Sequence, residues 1–251
     1  MKIGVVIPTY QEQKSIKKIF YSFQKIKNIK FFFCFVDGSY SNQTSNEIKK
    51  YFKKNYKILY QKKRKKIGFF KLSSRCEASF IGFKWILKNK KVNMITDMDA
   101  DLSSDPKDIK KAIKIYKKYK SDLIIGSKYL EKSKVINRSF SRSLFSNIYT
   151  TTCKLLITNE ISDFSAGYRF FKSETLKKMV KQKLIFKSPA QHLANILYYY
   201  ENNYIISEFP AYYADTKQNS KSISLSHIFV YVMQLSYILL IFYFRKIKNF
   251  A

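Results

Sequence analysis

Residues 92–108 read Val92-Asn93-Met94-Ile95-Thr96-Asp97-Met98-Asp99-Ala100-Asp101-Leu102-Ser103-Ser104-Asp105-Pro106-Lys107-Asp108. The chain has 17 acidic residues against 48 basic ones, yet five of the acids fall between Asp97 and Asp108. They follow a short apolar run, Val92–Thr96, that reads as a buried strand. Carboxylates crowded at a strand's end repel one another unless a cation or hydrogen-bond donors hold them. The spacing Asp99-Ala100-Asp101 lets two carboxylates share one hard divalent ion, which prefers oxygen ligands. Asp105-Pro106 carries a different signature, an N-cap followed by proline at the first helical position. Asp105 and Asp108 are therefore assigned to helix capping, and Asp99 and Asp101 to a metal.

Outward from this segment, short apolar strands alternate with helical patterns, the mark of an α/β sheet. Strands are predicted at Ile3–Ile7, Phe31–Val36, Tyr56–Tyr60, Val92–Thr96 and Leu123–Gly126. Helices are predicted at Lys14–Ile26, Ser45–Lys54, Phe69–Leu87 and Pro106–Tyr119. Further on, the pattern predicts helices at Phe140–Leu156, Glu174–Lys181 and Gln191–Glu201, an extended piece at Phe164–Phe171 and a strand at Tyr204–Tyr213. With no internal repeat or low-complexity linker, residues 1–222 read as one domain and residues 223–251 as an apolar helical appendage. A chain of 251 residues can bury one good-sized core.

The net charge of +31 is less specific than it looks. Six of the 48 basic residues are arginine, while Lys, Asn, Ile, Phe and Tyr abound. That bias is what an AT-rich genome writes. Lysine is a point charge, not the planar fork suited to specific phosphate or base recognition. The cluster Lys62-Lys63-Arg64-Lys65-Lys66 reads as a solvated loop, and no nucleic-acid partner is expected. Attraction to anionic surfaces remains a physical expectation. Cys34, Cys76 and Cys153 are far apart and odd in number, with neither zinc-site nor disulfide spacing, which suits a reducing cytosolic setting. The opening Met1–Pro8 is too short for a signal peptide and reads as a first strand.

Three loops leave three strands at their C-terminal ends, where open α/β sheets bind ligands. They are Pro8-Thr9-Tyr10-Gln11-Glu12, Asp37-Gly38-Ser39, and the loop of Asp99 and Asp101. Each is weak alone, but their order is specific. Pro8–Glu12 resembles a PTYNE motif, Val36–Ser39 a DDGS motif with its first aspartate lost, and Met98–Ser103 a MDADLS signature. Gly126–Tyr129 is similar to GSRY, and Ser141-Arg142 to the SR of a following helix. Asp163–Arg169 is similar to D-x-T-S-G-F-R, and Asn219-Ser220-Lys221 to G-x-S-K. From about Lys2 to Ile223 the chain thus resembles glycosyltransferase family 2, with the GT-A fold, and within it polyprenyl-phosphate sugar transferases of the dolichol-phosphate mannosyltransferase type.

That resemblance implies a mostly parallel sheet flanked by helices and an inverting transfer of a mannose- or glucose-class sugar from a nucleoside-diphosphate sugar to a polyprenyl phosphate. Pro8, Tyr10, Glu12 and Asp37 would surround the base and ribose. Asp99 and Asp101, with Ser103, would hold Mg²⁺ or Mn²⁺ on the diphosphate. Lys128, Arg138, Arg142, Arg169 and Lys221 are the cations expected to gather the acceptor phosphate, although Arg169 could instead pair with Asp163. His192 and His227 match no nucleophile–base pattern. A family 2 enzyme acting on a surface polysaccharide or glycan is the first alternative, and a non-catalytic basic protein binding nucleic acid or lipid the second.

The tail His227–Phe244 is free of charge and is followed by Arg245, Lys246 and Lys248. As a helix it would span about 27 Å, just short of a bilayer core. Ser220, Ser224, His227, Tyr231 and Gln234 give it a thin polar stripe, which suits a helix lying in the interface or packed on its domain. The expected location is the cytoplasmic face of a membrane, held peripherally or by this single helix.

Overall fold

The computed structural model describes residues 1–61, 75–182, 190–215 and 225–248. The Lys62–Lys66 cluster, the beginning of the Phe69–Leu87 helix, Asn219, Ser220 and Lys221 lie outside the described residues.

The chain opens as β1 (Lys2–Thr9), α1 (Gln13–Gln24), β2 (Lys30–Asp37), α2 (Gln43–Tyr51), β3 (Tyr56–Tyr60), α3 (Arg75–Asn89) and β4 (Met94–Asp97). It continues with α4 (Ile109–Tyr119), β5 (Leu123–Ser127), β6 (Lys134–Ile136), α5 (Phe140–Leu156), β7 (Arg169–Lys172) and α6 (Ser173–Met179). It ends with α7 (Gln191–Glu201), β8 (Ile206–Pro210), β9 (Tyr212–Ala214) and α8 (Leu225–Lys248). Among the described residues one sheet has seven strands in the order β3-β2-β1-β4-β7-β5-β8. All neighbours are parallel except β7, which runs antiparallel to both β4 and β5. A second, two-stranded sheet pairs β6 with β9.

Alternation along β1 divides the core between the faces of the sheet. Ile3, Val5 and Ile7 join Ile16, Ile19 and Phe23 of α1 and Ile109 of α4 on one side. Val6 joins Phe83 and Ile86 of α3 and Leu193 and Ile196 of α7 on the other. Ile238 and Phe242 of α8 belong to this second core. Gly82 lets α3 press against the sheet, because a Cβ there would run into the Val6 side chain. That close approach sets the N-terminal end of α3, and with it Arg75, over the strand ends.

Three expectations are corrected. The single strand predicted at Tyr204–Tyr213 is two, because Pro210, paired with Ser127 at the end of the β5 ladder, has no N–H to continue it. The chain then turns into β9, whose partner β6 was not anticipated. The extended piece at Phe164–Phe171 becomes strand only from Arg169, and its earlier residues line a cavity. Asp105 caps as expected, accepting the Lys107 N–H at 2.8 Å, but Asp108 does not. Its carboxylate instead accepts the Tyr212 N–H at 2.9 Å and pairs with Lys111 at 2.7 Å, tying the turn to β9.

Candidate active site

Parallel pairing puts the ends of β1, β2 and β4 side by side, with Thr9 opposite Asp37 and Asp97 beside β1. The first two loops are stitched together by their own polar groups. Asp37 is buried, and its Oδ1 accepts from the Thr9 hydroxyl at 3.1 Å and from the Ser39 N–H and hydroxyl at 3.1 and 2.6 Å. Ser39 Oγ accepts the Gln11 N–H at 2.7 Å, and Thr44 Oγ1 the Glu12 N–H at 3.1 Å. Gln11 takes a left-handed backbone, φ 55°, to make this turn. Pro8 ends the buried run of β1, and Tyr10 stands exposed with its ring edge-on to Tyr40 at 5.7 Å. Glu12 is half-buried; burial raises its pKa against the pull of the Ser15 hydroxyl, and the charges of Asp101 and Asp99 raise it further.

The third loop gathers the acids. Asp97, last in β4, is buried and pairs with Arg75 Nη1 at 3.1 Å while accepting the Ser79 hydroxyl at 3.0 Å. Burial nevertheless holds its carboxyl above the usual range. The Nε of Arg75 meets Asp99, so one guanidinium spans both acids. Burial pulls the Arg75 pKa down, but the charges of Asp99 and Asp97 outweigh it, and the group stays protonated. Leu102 turns the chain with φ 58°, and Asp101 Oδ1 accepts the Ser103 N–H at 2.9 Å. The Ser103 carbonyl accepts the Ala214 N–H at 2.8 Å, which pins the loop to β9.

Asp99 is the partly exposed acid on this rim, its side chain 44% accessible against 4% for Asp97. Among the described residues no three His, Cys, Asp or Glu side chains surround one point. A cation held by Asp99 and Asp101 would therefore take its remaining ligands from water or from phosphates, the usual arrangement for Mg²⁺ at a nucleotide. The donor set fits such an ion.

Beside the rim lies a cavity of about 500 Å³ whose lining includes Arg75, Asp99 and Ser103. Lys128, Arg138 and Arg142 also line it, as do Phe145, Tyr149 and Tyr231. The cations are held by named partners. Lys128 binds Asp163 Oδ2 through both its N–H, at 3.0 Å, and its Nζ, at 2.8 Å. Burial lowers the Lys128 pKa against the pull of Asp163. Burial pushes the Asp163 carboxyl up, but Lys128 and the surrounding donors outweigh it and hold that carboxyl below its ordinary value. Arg142 pairs with Asp215 at 3.1 Å, and the Tyr213 hydroxyl donates to the same oxygen at 3.0 Å. Arg138 lies over the Tyr213 ring at 5.5 Å.

Two placements differ from the sequence reading. Arg169 is fully buried and points at neither a phosphate site nor Asp163 in an ion pair. It donates to the carbonyls of His192 at 2.6 Å and Phe164 at 3.4 Å, so it braces the cavity from behind. Burial lowers it to about 10, which leaves it cationic at neutral pH. His192, set aside as unpatterned, lines the cavity. Burial, and then the charges of Arg169, Arg75 and Lys128, drive its pKa well below the ordinary value and keep it neutral. Arg75 was missed outright. Its signal was available, since it is one of only six arginines in a lysine-rich chain.

Residues 4–180 match the family model described as Glycosyl transferase family 2. The chain is 28% identical over 100 residues to the undecaprenyl-phosphate mannosyltransferase of Micrococcus luteus, covering 40% of each chain. It is 28% identical over 190 residues to the dolichol-phosphate mannosyltransferase of Pyrococcus furiosus, covering 74% of this chain and 51% of that protein. The chain thus spans about half or less of the length of these curated relatives. Among solved structures it resembles Mycobacterium tuberculosis glucosyl-3-phosphoglycerate synthase in complex with Mn²⁺, UDP and phosphoglyceric acid. There the TM-score is 0.64 at 12% identity, over 96% of this chain and 78% of that one. It also resembles S. aureus TarS in complex with UDP-GlcNAc, with a TM-score of 0.61 at 18% identity over 95% and 66% of the two chains. These likenesses establish the GT-A fold. With the family match spanning well over half of its length, the chain belongs to glycosyl transferase family 2.

Proposed function

We propose that the chain is an inverting glycosyltransferase that moves a mannose- or glucose-class sugar from a nucleoside-diphosphate sugar to a polyprenyl phosphate at the cytoplasmic membrane face. One observation carries this reading. The cavity beside Asp99 brings Lys128, Arg138 and Arg142 together with Phe145, Tyr149 and Tyr231 in one lining, which suits an acceptor that carries both an anionic and an apolar part. The names of the curated relatives, which include a polyprenol monophosphomannose synthase of Mycolicibacterium smegmatis, support the same acceptor class.

In this reading Tyr10 offers its face to the base, and Pro8, Glu12 and Asp37 shape the nucleoside groove. Asp99 and Asp101, with Ser103 beside them, hold a Mg²⁺ or Mn²⁺, which when bound neutralises charge on the departing diphosphate. Arg138 and Arg142 draw in the acceptor phosphate, and Lys221 is proposed to join them. A phosphate monoester has its second pKa near about 6 and is largely dianionic at neutral pH. Its oxygen can attack the anomeric carbon directly; the new C–O bond forms as the bond to the β-phosphate oxygen breaks, and the configuration inverts. No proton has to be removed from the nucleophile, so the step asks for no side-chain base.

The test is a screen of UDP- and GDP-sugars against short-chain polyprenyl phosphate and against soluble glycans. Transfer to the lipid phosphate is expected. Transfer only to glycans would place the chain with the polysaccharide-building members of the family.

A further inference from the structure

Two side chains at the cavity have no task in the transfer chemistry, Cys76 and His192, and they face each other. Cys76 Sγ and His192 Nε2 stand 3.9 Å apart, within hydrogen-bonding reach for sulfur. Both are fixed from behind. Cys76 is buried in the first turn of α3, next to Arg75. His192 lies in the first turn of α7, where its carbonyl accepts Arg169 Nη1 at 2.6 Å. The imidazole is packed round by protein but lines the cavity. Its Nδ1 makes no hydrogen bond among the described residues, yet it is not sealed from solvent.

The pairing decides which ring nitrogen carries the proton. Burial pushes the Cys76 thiol up to about 11, so its S–H is intact at neutral pH. The imidazole is neutral, with one N–H and one bare nitrogen. Sulfur is a weak acceptor, whereas a bare imidazole nitrogen is a good one. The arrangement that satisfies both groups has the thiol donating to Nε2. The reverse would commit the ring N–H to the weaker acceptor and leave the S–H with none among the described residues. The proton therefore sits on Nδ1, and the ring presents a neutral N–H to the cavity.

Its place fits a sugar. Arg75 Nη2 and His192 Nε2 each lie 3.8 Å from the point that a side-chain carbon on Gly167 would occupy. The imidazole is thus one small gap from the guanidinium that holds Asp99, and the sugar carbon bonded to the departing diphosphate must come close to Asp99. Phosphates have Lys128, Arg138 and Arg142 to meet them in this cavity, whereas a sugar oxygen is matched by a neutral, well-placed polar group. We infer that His192, oriented by Cys76, is a specificity-determining residue that donates its Nδ1 hydrogen to an oxygen of the transferred sugar. The inference rests on the glycosyltransferase reading and names the residue by which the site tells a sugar nucleotide from the bare nucleotide.

Two measurements test it. The chain has two histidines, so His227→Gln with ¹⁵N-labelled histidine leaves a single imidazole in the nitrogen spectrum. Without substrate, that spectrum should show a protonated Nδ1 and a bare Nε2; the opposite tautomer overturns the proposal, whatever the folding of any His192 variant. Next, the binding of GDP-mannose and GDP, and of UDP-glucose and UDP, is measured with Mn²⁺ for the wild type, His192→Phe and His192→Asn. The sugar nucleotide that the wild type prefers should bind the Phe variant about ten- to a hundredfold more weakly, the scale of one hydrogen bond left unmade. The matching diphosphate should bind as before. His192→Asn, whose amide N–H can stand near the Nδ1 position, should recover part of the loss, and it carries the comparison if the Phe variant does not fold. Undiminished binding of the sugar nucleotide, or equal losses for it and the bare diphosphate, overturns the inference and leaves the glycosyltransferase reading in place. A wild type that binds none of the four overturns both.

Discussion

Arg75 lies against Asp99, its Nε donating to the carboxylate proposed to hold the metal, while Nη1 of the same guanidinium reaches the buried Asp97. The rim acid therefore has a protein cation at the place where a divalent ion would act. Arg75→Gln is expected to tighten the binding of Mn²⁺ alone by about tenfold, because a positive charge next to the site is removed. The same change strands Asp97 in the core and should cost about 3–5 kcal/mol. Adding Asp97→Asn should recover most of that loss. Titration of Mn²⁺ without nucleotide, with denaturant melts of the single and double variants, measures both effects. Unchanged or weaker Mn²⁺ binding would show that Arg75 does not oppose the metal.

Asp101→Ala should abolish transfer while costing about 1 kcal/mol of stability, the scale of losing the partly buried hydrogen bond from the Ser103 N–H. The paired readout is single-turnover transfer with metal present and a thermal melt. Turnover near the wild-type rate would remove Asp101 from the metal site.

Arg142→Ala should raise KM for the acceptor more than KM for the donor, because Arg142 and its neighbour Tyr213 line the cavity. Lys128→Met should instead unfold the chain more readily, leaving Asp163 buried without its cation, by about 3–5 kcal/mol. Equal KM changes for both substrates in the Arg142 variant would assign its grip to the diphosphate.

His192 predicts a pH effect on stability. Its pKa in the folded chain lies well below the ordinary value near 6.5. The unfolded chain therefore binds the proton first as pH falls, so stability drops below about pH 6.5. His192→Gln should flatten that part of the Tm profile. A variant whose acid-side slope matches the wild type would show that the buried imidazole does not set it.

The strands ending at Thr9, Asp37 and Asp97 were legible because each is a short apolar run closed by a polar turn, and local pattern alone places its loop at the ligand-binding edge. The Asp105 cap was legible for the same reason. Asp108 was not, because its partner is the Tyr212 N–H, 104 residues away. Arg169 read as a phosphate ligand because scarce arginines looked functional. Its true neighbours, the carbonyls of Phe164 and His192, are set by β7 running antiparallel through a parallel sheet, an arrangement no local pattern encodes.

The most direct test of the central claim follows label from a sugar nucleotide into organic solvent. Wild-type chain, polyprenyl phosphate and Mg²⁺ or Mn²⁺ should yield an acid-labile glycosyl phosphate of inverted anomeric configuration. The product should vanish with a chelator and with the Asp99→Asn, Asp101→Asn pair. Label that stays in the aqueous phase with every donor, or a lipid product undiminished by the paired substitution, would contradict the account.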